Sequence, residues 1–199
     1  MAYTEYHNVE LDKIPVNKRE VLRYMGAKDA SDELMRIIDE CIVESSDALG
    51  AKLCFDEYEI SISGDTVDLG FCRVESGDLS KNLKGAEKAV VFCATVGFGM
   101  DRLIARYSRL SPVKALCLGA IGNERVEALC DLFCEELKER YKNVSPRFSP
   151  GYGDLSLQHQ KDIFKALDCT KNLGIALSDR LLMTPSKSVT AIVGIESGE

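Results

Sequence analysis

The most informative stretch of the chain is residues 147–154, which read Arg-Phe-Ser-Pro-Gly-Tyr-Gly-Asp. Pro150 and Gly151 set a fixed bend, and the glycines let a ligand come close to the backbone. Arg147 can form a two-pronged bond to a carboxylate, Tyr152 can pack its ring on a base or face a cation, and the backbone of Ser149 can read an adenine edge. An amino-acid nucleoside with a sulfonium centre presents all of those features. The competing reading is a strand-to-helix connection in which Tyr152 is a hydrophobic plug and Asp154 helps to cap a helix beginning near Ser156.

Other routes to chemistry have less behind them. Residues 90–96 run into Gly97-Phe98-Gly99 and then a helical pattern, as a dinucleotide-binding unit does, but Arg102 stands where the third glycine belongs. A plain strand-to-helix turn is the better reading. The two histidines, His7 and His159, sit in no informative motif, and no G-x-S-x-G, H-E-x-x-H or P-loop pattern occurs. The carboxylates read as scattered over solvated helix faces. Eight cysteines contain no C-x-x-C pair; Cys130 and Cys134, four apart, have a spacing that can hold a metal but fall on an apolar helical stripe, where buried free thiols are expected.

Composition bounds the function further. A net charge of −7 without any basic run lacks the footprint that a phosphate backbone requires, so nucleic acid is not an expected partner. The longest apolar run, residues 89–97, is far short of the roughly 20 residues that cross a bilayer, and the first ten residues have no signal-peptide core. No membrane association is expected, and the location expected is cytoplasmic. With 45% hydrophobic and 29% charged residues and no low-complexity tract, residues 1–199 read as one ordered domain.

The elements that must carry these residues follow from periodicity. A short helix is expected over 17–25, ending at Gly26, and a longer one from the N-cap Ser31 to about Gly50, with Leu34, Ile37, Ile38, Cys41 and Ile42 on one face. Alternation at Tyr58, Ile60 and Ile62, then Val67, Leu69 and Phe71, around Ser63-Gly64-Asp65, predicts a hairpin. Residues 89–95, apolar throughout, predict a strand buried on both faces at mid-sheet. Helices follow over 98–107 and from Pro112 to about Tyr141, the second with Val126, Leu129, Cys130, Phe133, Cys134 and Leu137 on one stripe and a bend near Gly119 or Gly122. Beyond the loop 145–153 come a helix capped by Ser156 and strand-like segments over 173–177 and 188–195.

Residues 147–164 resemble the R-x-x-x-G-Y segment of the activation domain of cobalamin-dependent methionine synthase. Residues 182–189, Leu-Met-Thr-Pro-Ser-Lys-Ser-Val, are similar to that domain's M-x-P-x-x-S-V stretch, and Val126-Glu127-Ala128-Leu129 fits the helix before its loop. The resemblance covers the chain from about Gly119 onward and the first half loosely. It implies an α+β fold: a single C-shaped domain with a mixed, largely antiparallel sheet and flanking helices. It further implies S-adenosylmethionine along the inner surface, contacted by Arg147, Ser149, Gly151 and Tyr152, by Glu127 (a one-residue shift would place Ala128 there) and by an N-terminal aspartate, for which Asp12 is the candidate. The aromatic that the family carries beyond its S-V stretch has no counterpart in residues 190–195. Pro185 and Ser188 read as a strand-entry proline and a turn hydroxyl.

The same resemblance implies a role in reductive reactivation. The domain presents S-adenosylmethionine as methyl donor to cobalamin on a methionine synthase, while a flavodoxin-like protein supplies an electron. No catalytic side chain or metal of its own is then required. Because the chain has no D-x-H-x-x-G signature, the cobalamin is expected on a separate methionine synthase or corrinoid protein. The alternative is a non-catalytic ligand-sensing or assembly module of the same fold, suggested by the missing aromatic.

Overall fold

A strand that is apolar on both faces has to be covered on both sides, and the segment Lys88–Thr95, buried from Ala89 onward, is treated in that way. In a computed structural model, which describes residues 5–8 (as backbone), 11 and 14–196, this segment is the middle strand of a five-stranded sheet. The strands of the first half are β1 (Glu5–Asn8), β2 (Lys52–Glu59), β3 (Ser61–Ser63), β4 (Thr66–Asp68), β5 (Arg73–Glu75) and β6 (Lys88–Thr95). Those of the second half are β7 (Asn143–Val144), β8 (Ala176–Leu177), β9 (Met183–Thr184) and β10 (Ser188–Glu196). The main sheet runs β1-β2-β6-β10-β7; β3-β4-β5 and β8-β9 form two small sheets. Every pairing among the described strands is antiparallel, so the α+β architecture with a largely antiparallel sheet is borne out.

Side-chain alternation along the sheet divides the interior in two. Val90, Phe92 and Ala94 of β6, with Leu53 and Phe55 of β2 and Ala191 and Val193 of β10, face one core. Its other wall is made by α1 (Lys18–Tyr24), α2 (Asp32–Ser46) and residues of α4 (Phe98–Leu110) and α5 (Pro112–Arg140). Ala89, Val91 and Cys93, with Cys54 and Ile192, face the second core. That core is closed by Val67 and Val74 of the β3-β4-β5 sheet, by α3 (Gly77–Asn82), and by α6 (Gln160–Ala166) and α7 (Cys169–Leu173).

Local chemistry explains most boundaries. The side chain of Asn17 accepts from the N–H groups of Arg19 and Glu20, and Ser31 accepts from Leu34, as N-caps should. Helix α2 stops at Ser46, earlier than Gly50, whose N–H instead donates to the Val96 carbonyl at 2.9 Å. Helix α5 is continuous through Gly119 and Gly122, and Cys130 and Cys134 are buried on it, their thiols pushed up by that burial.

Three expectations change. Tyr58 does not open the hairpin: it lies in β2 of the main sheet, and the hairpin is the shorter β3–β4 pair with Ile62 opposite Val67. Residues 173–177 are not one strand, because Leu173 ends α7 and Gly174, in the left-handed region, stops it before β8. Third, the carboxylates are not all solvated: Glu124 and Arg125 are buried and bonded to each other on α5.

The Gly97-Phe98-Gly99 pattern has a packing explanation. A Cβ at Gly99 would lie 2.0 Å from the backbone oxygen of Ala48, so only glycine lets the first turn of α4 sit on the turn that follows α2. Gly99→Ala is expected to lower stability by about 1–3 kcal/mol, the range for overpacking a tight contact. A urea unfolding curve with an unchanged midpoint would refute the contact.

Candidate functional site

The loop after β7 is fastened before it can offer anything to a ligand. Phe148 exchanges two backbone hydrogen bonds with Ile192 of β10, at 2.9 and 2.8 Å, which extends the sheet edge by one bridge. Tyr152 N–H donates to the Ser149 carbonyl at 3.0 Å, and Gly151 N–H donates to the Leu155 carbonyl at 2.8 Å. Gly151 has φ +95°, a conformation open to glycine and costly for other residues.

The far end of the loop is tied to a distant element. The Asp154 carboxylate accepts from the Ser76 hydroxyl and from the N–H groups of Gly77, at 2.8 Å, and Asp78, at 3.3 Å. It therefore caps α3, not the helix beginning near Ser156, which Ser156 caps with its own hydroxyl. The hydrogen bond from Ser76, together with the backbone donors, holds the Asp154 carboxyl below its usual pKa. Because the folded-state value is depressed, this contribution is complete above the ordinary carboxylate range and is lost as pH falls through the folded value. Asp154→Asn should remove part of the acid sensitivity of thermal unfolding below about pH 4. Identical pH–Tm curves for the two proteins would refute the cap.

Between this loop, helix α5 and the start of β10 lies an open groove of about 640 Å³. Four predicted residues, Glu127, Arg147, Ser149 and Tyr152, meet there, together with Asp131, Glu135, Gln160, Ser188 and Thr190. Arg147 donates from Nη2 to Glu127 at 3.1 Å and to Asp131 at 2.6 Å. Burial works against its charge, but Cys130, Glu127, Asp131 and Cys134 together outweigh that effect and raise its pKa. The guanidinium is thus a permanent cation oriented by two acids, with Nε and Nη1 bearing none of the described bonds. Tyr152 is 60% exposed, so it is a surface ring over the groove and not a hydrophobic plug; its ring stands edge-on to Phe148 at 6.4 Å.

The remaining predicted residues divide. Gly151 does not line the groove; it shapes the turn that does. Asp12 lies outside the described residues. Ala128, the alternative to Glu127, lines a neighbouring depression, to which Glu127, Asp131 and Glu135 also contribute. Ser188 lines the groove while its hydroxyl donates to the Pro185 carbonyl at 2.8 Å and stands 2.8 Å from the Thr95 hydroxyl, so its turn role and its position at the site coincide. Among the described residues no aromatic stands in that wall, which Met183, Val189 and Thr190 complete.

Sequence reasoning missed Asp131, Glu135 and Gln160. The first had a readable signal: at i+4 from Glu127 it shares a helix face, and two acids four apart opposite a predicted arginine form a charge cluster. Gln160 is brought in at the start of α6 by the 3-10 turn Leu157–His159; the Ser156 cap marked a helix start here, but nothing in the sequence showed which side chain would face the groove.

A family model described as vitamin B12 dependent methionine synthase, activation domain, matches residues 131–197. That stretch includes the Arg147 loop and the β9–β10 wall. Among solved structures, the crystal structure of the MetH reactivation domain bound to AdoHcy matches with a TM-score of 0.73 at 12% identity, over 99% of this chain and 79% of that one. No curated protein matches the chain. The resemblance drawn from the R-x-x-x-G-Y and M-x-P-x-x-S-V stretches is borne out by the matched segment and by the fold.

Proposed function

We propose that this chain, whose residues 131–197 match the activation-domain model of vitamin B12 dependent methionine synthase and whose fold is similar to a reactivation domain, binds S-adenosylmethionine in the groove beside Arg147 and presents it to a cobalamin-carrying partner. The observation that carries this reading is the meeting of Arg147, Glu127, Ser149 and Tyr152 in one cavity. Its volume of about 640 Å³ falls within the range of small-molecule sites.

The donor set suits the ligand part by part. The Nε and Nη1 edge of Arg147 takes the methionine carboxylate. Glu127, Asp131 and Glu135 face its ammonium and sulfonium, and Tyr152 offers a ring to the adenine. The Ser149 carbonyl is engaged in the turn, which leaves its N–H and hydroxyl for the adenine edge. Cobalamin on the partner, a methionine synthase or other corrinoid protein, would accept the methyl once a flavodoxin-like donor had supplied one electron, with neutral S-adenosylhomocysteine as the leaving group. The work left to this chain is orientation and exclusion of water, which requires no nucleophile of its own. Its eight free cysteines suit a reducing, cytoplasmic setting. Among the described residues no helix is long and apolar enough to cross a membrane.

Calorimetry with S-adenosylmethionine tests the first half, with one site per chain expected. Transfer of labelled methyl from S-adenosylmethionine to cobalamin, in the presence of a corrinoid protein and a one-electron reductant, tests the second. Absence of binding sinks the whole reading. Binding without transfer selects the ligand-sensing alternative, which the aromatic-free wall of β10 favours.

A further inference from the structure

Of the eight cysteines, seven are buried; Cys72 alone is not. It ends the turn between β4 and β5, where Leu69 N–H donates to the Cys72 carbonyl at 2.9 Å and Gly70 N–H donates to Asp68 Oδ1 at 3.0 Å. Across from this turn, the 3-10 turn and the first turn of α6 bring His159 Nδ1 to 3.0 Å from Asp162 Oδ2. The thiol of Cys72, a ring nitrogen of His159 and a carboxylate oxygen of Asp162 all lie within 4.8 Å of one another. The three residues are separated by up to ninety positions in the chain, and none had a motif that announced it.

A sulfur, a nitrogen and an oxygen converging from two elements form a mixed donor set that suits a borderline-soft dication. With bonds of about 2.0–2.3 Å, tetrahedral ligand atoms stand roughly 3.3–3.8 Å apart, so small side-chain rotations bring these three onto one ion. An i,i+3 histidine–aspartate pair is an ordinary feature of a helix start, but such a pair has no need of a thiol set beside it from another layer. We propose that Cys72, His159 and Asp162 bind one zinc-class dication per chain, with the fourth position left to water or to an incoming donor. On binding, the thiol proton passes to solvent and the thiolate ligates. The ion clamps the β4–β5 turn to the segment that carries Gln160 into the groove, and this proposal is independent of what the groove binds.

The test uses the full chain, reduced and stripped with a chelator, titrated with Co²⁺ and then Zn²⁺. Uptake of one Co²⁺ is expected, with the near-ultraviolet absorption of a cobalt–thiolate bond, displaced by one equivalent of Zn²⁺. Cys72→Ser should abolish that absorption; His159→Gln and Asp162→Asn should weaken cobalt binding at least about tenfold. Should the cysteine variant fail to fold, His159→Gln carries the same test, because its side chain is partly exposed. The proposal is overturned if the native chain shows no cobalt–thiolate absorption. It is equally overturned if the absorption survives Cys72→Ser and is lost in Cys130→Ser, which would put the metal on α5.

Discussion

Arg147→Ala is expected to weaken S-adenosylmethionine binding about a hundredfold, on the order of 3 kcal/mol, with little change in the unfolding midpoint. A charge-assisted bond to the ligand carboxylate accounts for most of this loss. The remainder comes from the acids left behind: Glu127 and Asp131, which Arg147 now partners, would face the incoming carboxylate without a cation between them. Arg147→Lys should recover little, since an ammonium cannot reproduce the planar fork. Glu127→Gln should weaken binding less, because Asp131 remains at 2.6 Å to orient the guanidinium. Titration calorimetry at two salt concentrations reads all three. If Arg147→Ala binds as the native chain does, the arginine is structural and the groove has been assigned the wrong ligand.

The largest effect on stability is expected at Arg125. It is 1% exposed, and its guanidinium donates to Glu124 through Nε at 2.6 Å and Nη2 at 2.7 Å. It also donates to the carbonyl of Ile14 at 2.7 Å, of Pro15 at 3.2 Å and of Leu11 at 3.4 Å. Glu124 in turn accepts from Asn17 N–H at 3.0 Å. One buried pair thus bonds the Leu11, Ile14 and Pro15 carbonyls and the Asn17 amide, and fixes these residues to α5. Arg125→Ala leaves a buried carboxylate and three carbonyls without that donor, at a cost of about 3–5 kcal/mol. The double replacement Glu124→Gln with Arg125→Met should be less damaging than the single one, since no uncompensated charge remains. Equal unfolding free energies for Arg125→Ala and the native chain would show that the segment is held by other means.

What could be read in advance follows a physical divide. Strand β6 was legible because a run apolar on both faces has few places to go, and α5 because its stripe persists over many turns. The groove was legible as a loop, since Arg147, Pro150, Gly151 and Tyr152 are neighbours in sequence. Their partners across the fold were not. Adjacent Glu124 and Arg125 look like any solvated pair, and only the third dimension supplies the carbonyls that bury them. Likewise nothing near Asp154 reveals that its hydrogen bonds go to residues 76–78, and nothing near His159 points to Cys72. The end of β2 at Glu59 was missed because the alternation of Tyr58, Ile60 and Ile62 continues through the point where the chain changes sheets.

The two ends of the groove belong to different interiors. Glu127 and Asp131 stand on α5, whose Val126, Leu129 and Cys130 are in the first core, whereas Phe148 and Leu155, which flank the loop, pack into the second. The groove therefore lies where the two cores meet, and a ligand that spans it is expected to couple local opening on the two sides. Slowed amide exchange on ligand binding is then expected in α3 as well as at Arg147, because the Asp154 carboxylate relays the constraint to the Gly77 and Asp78 amides.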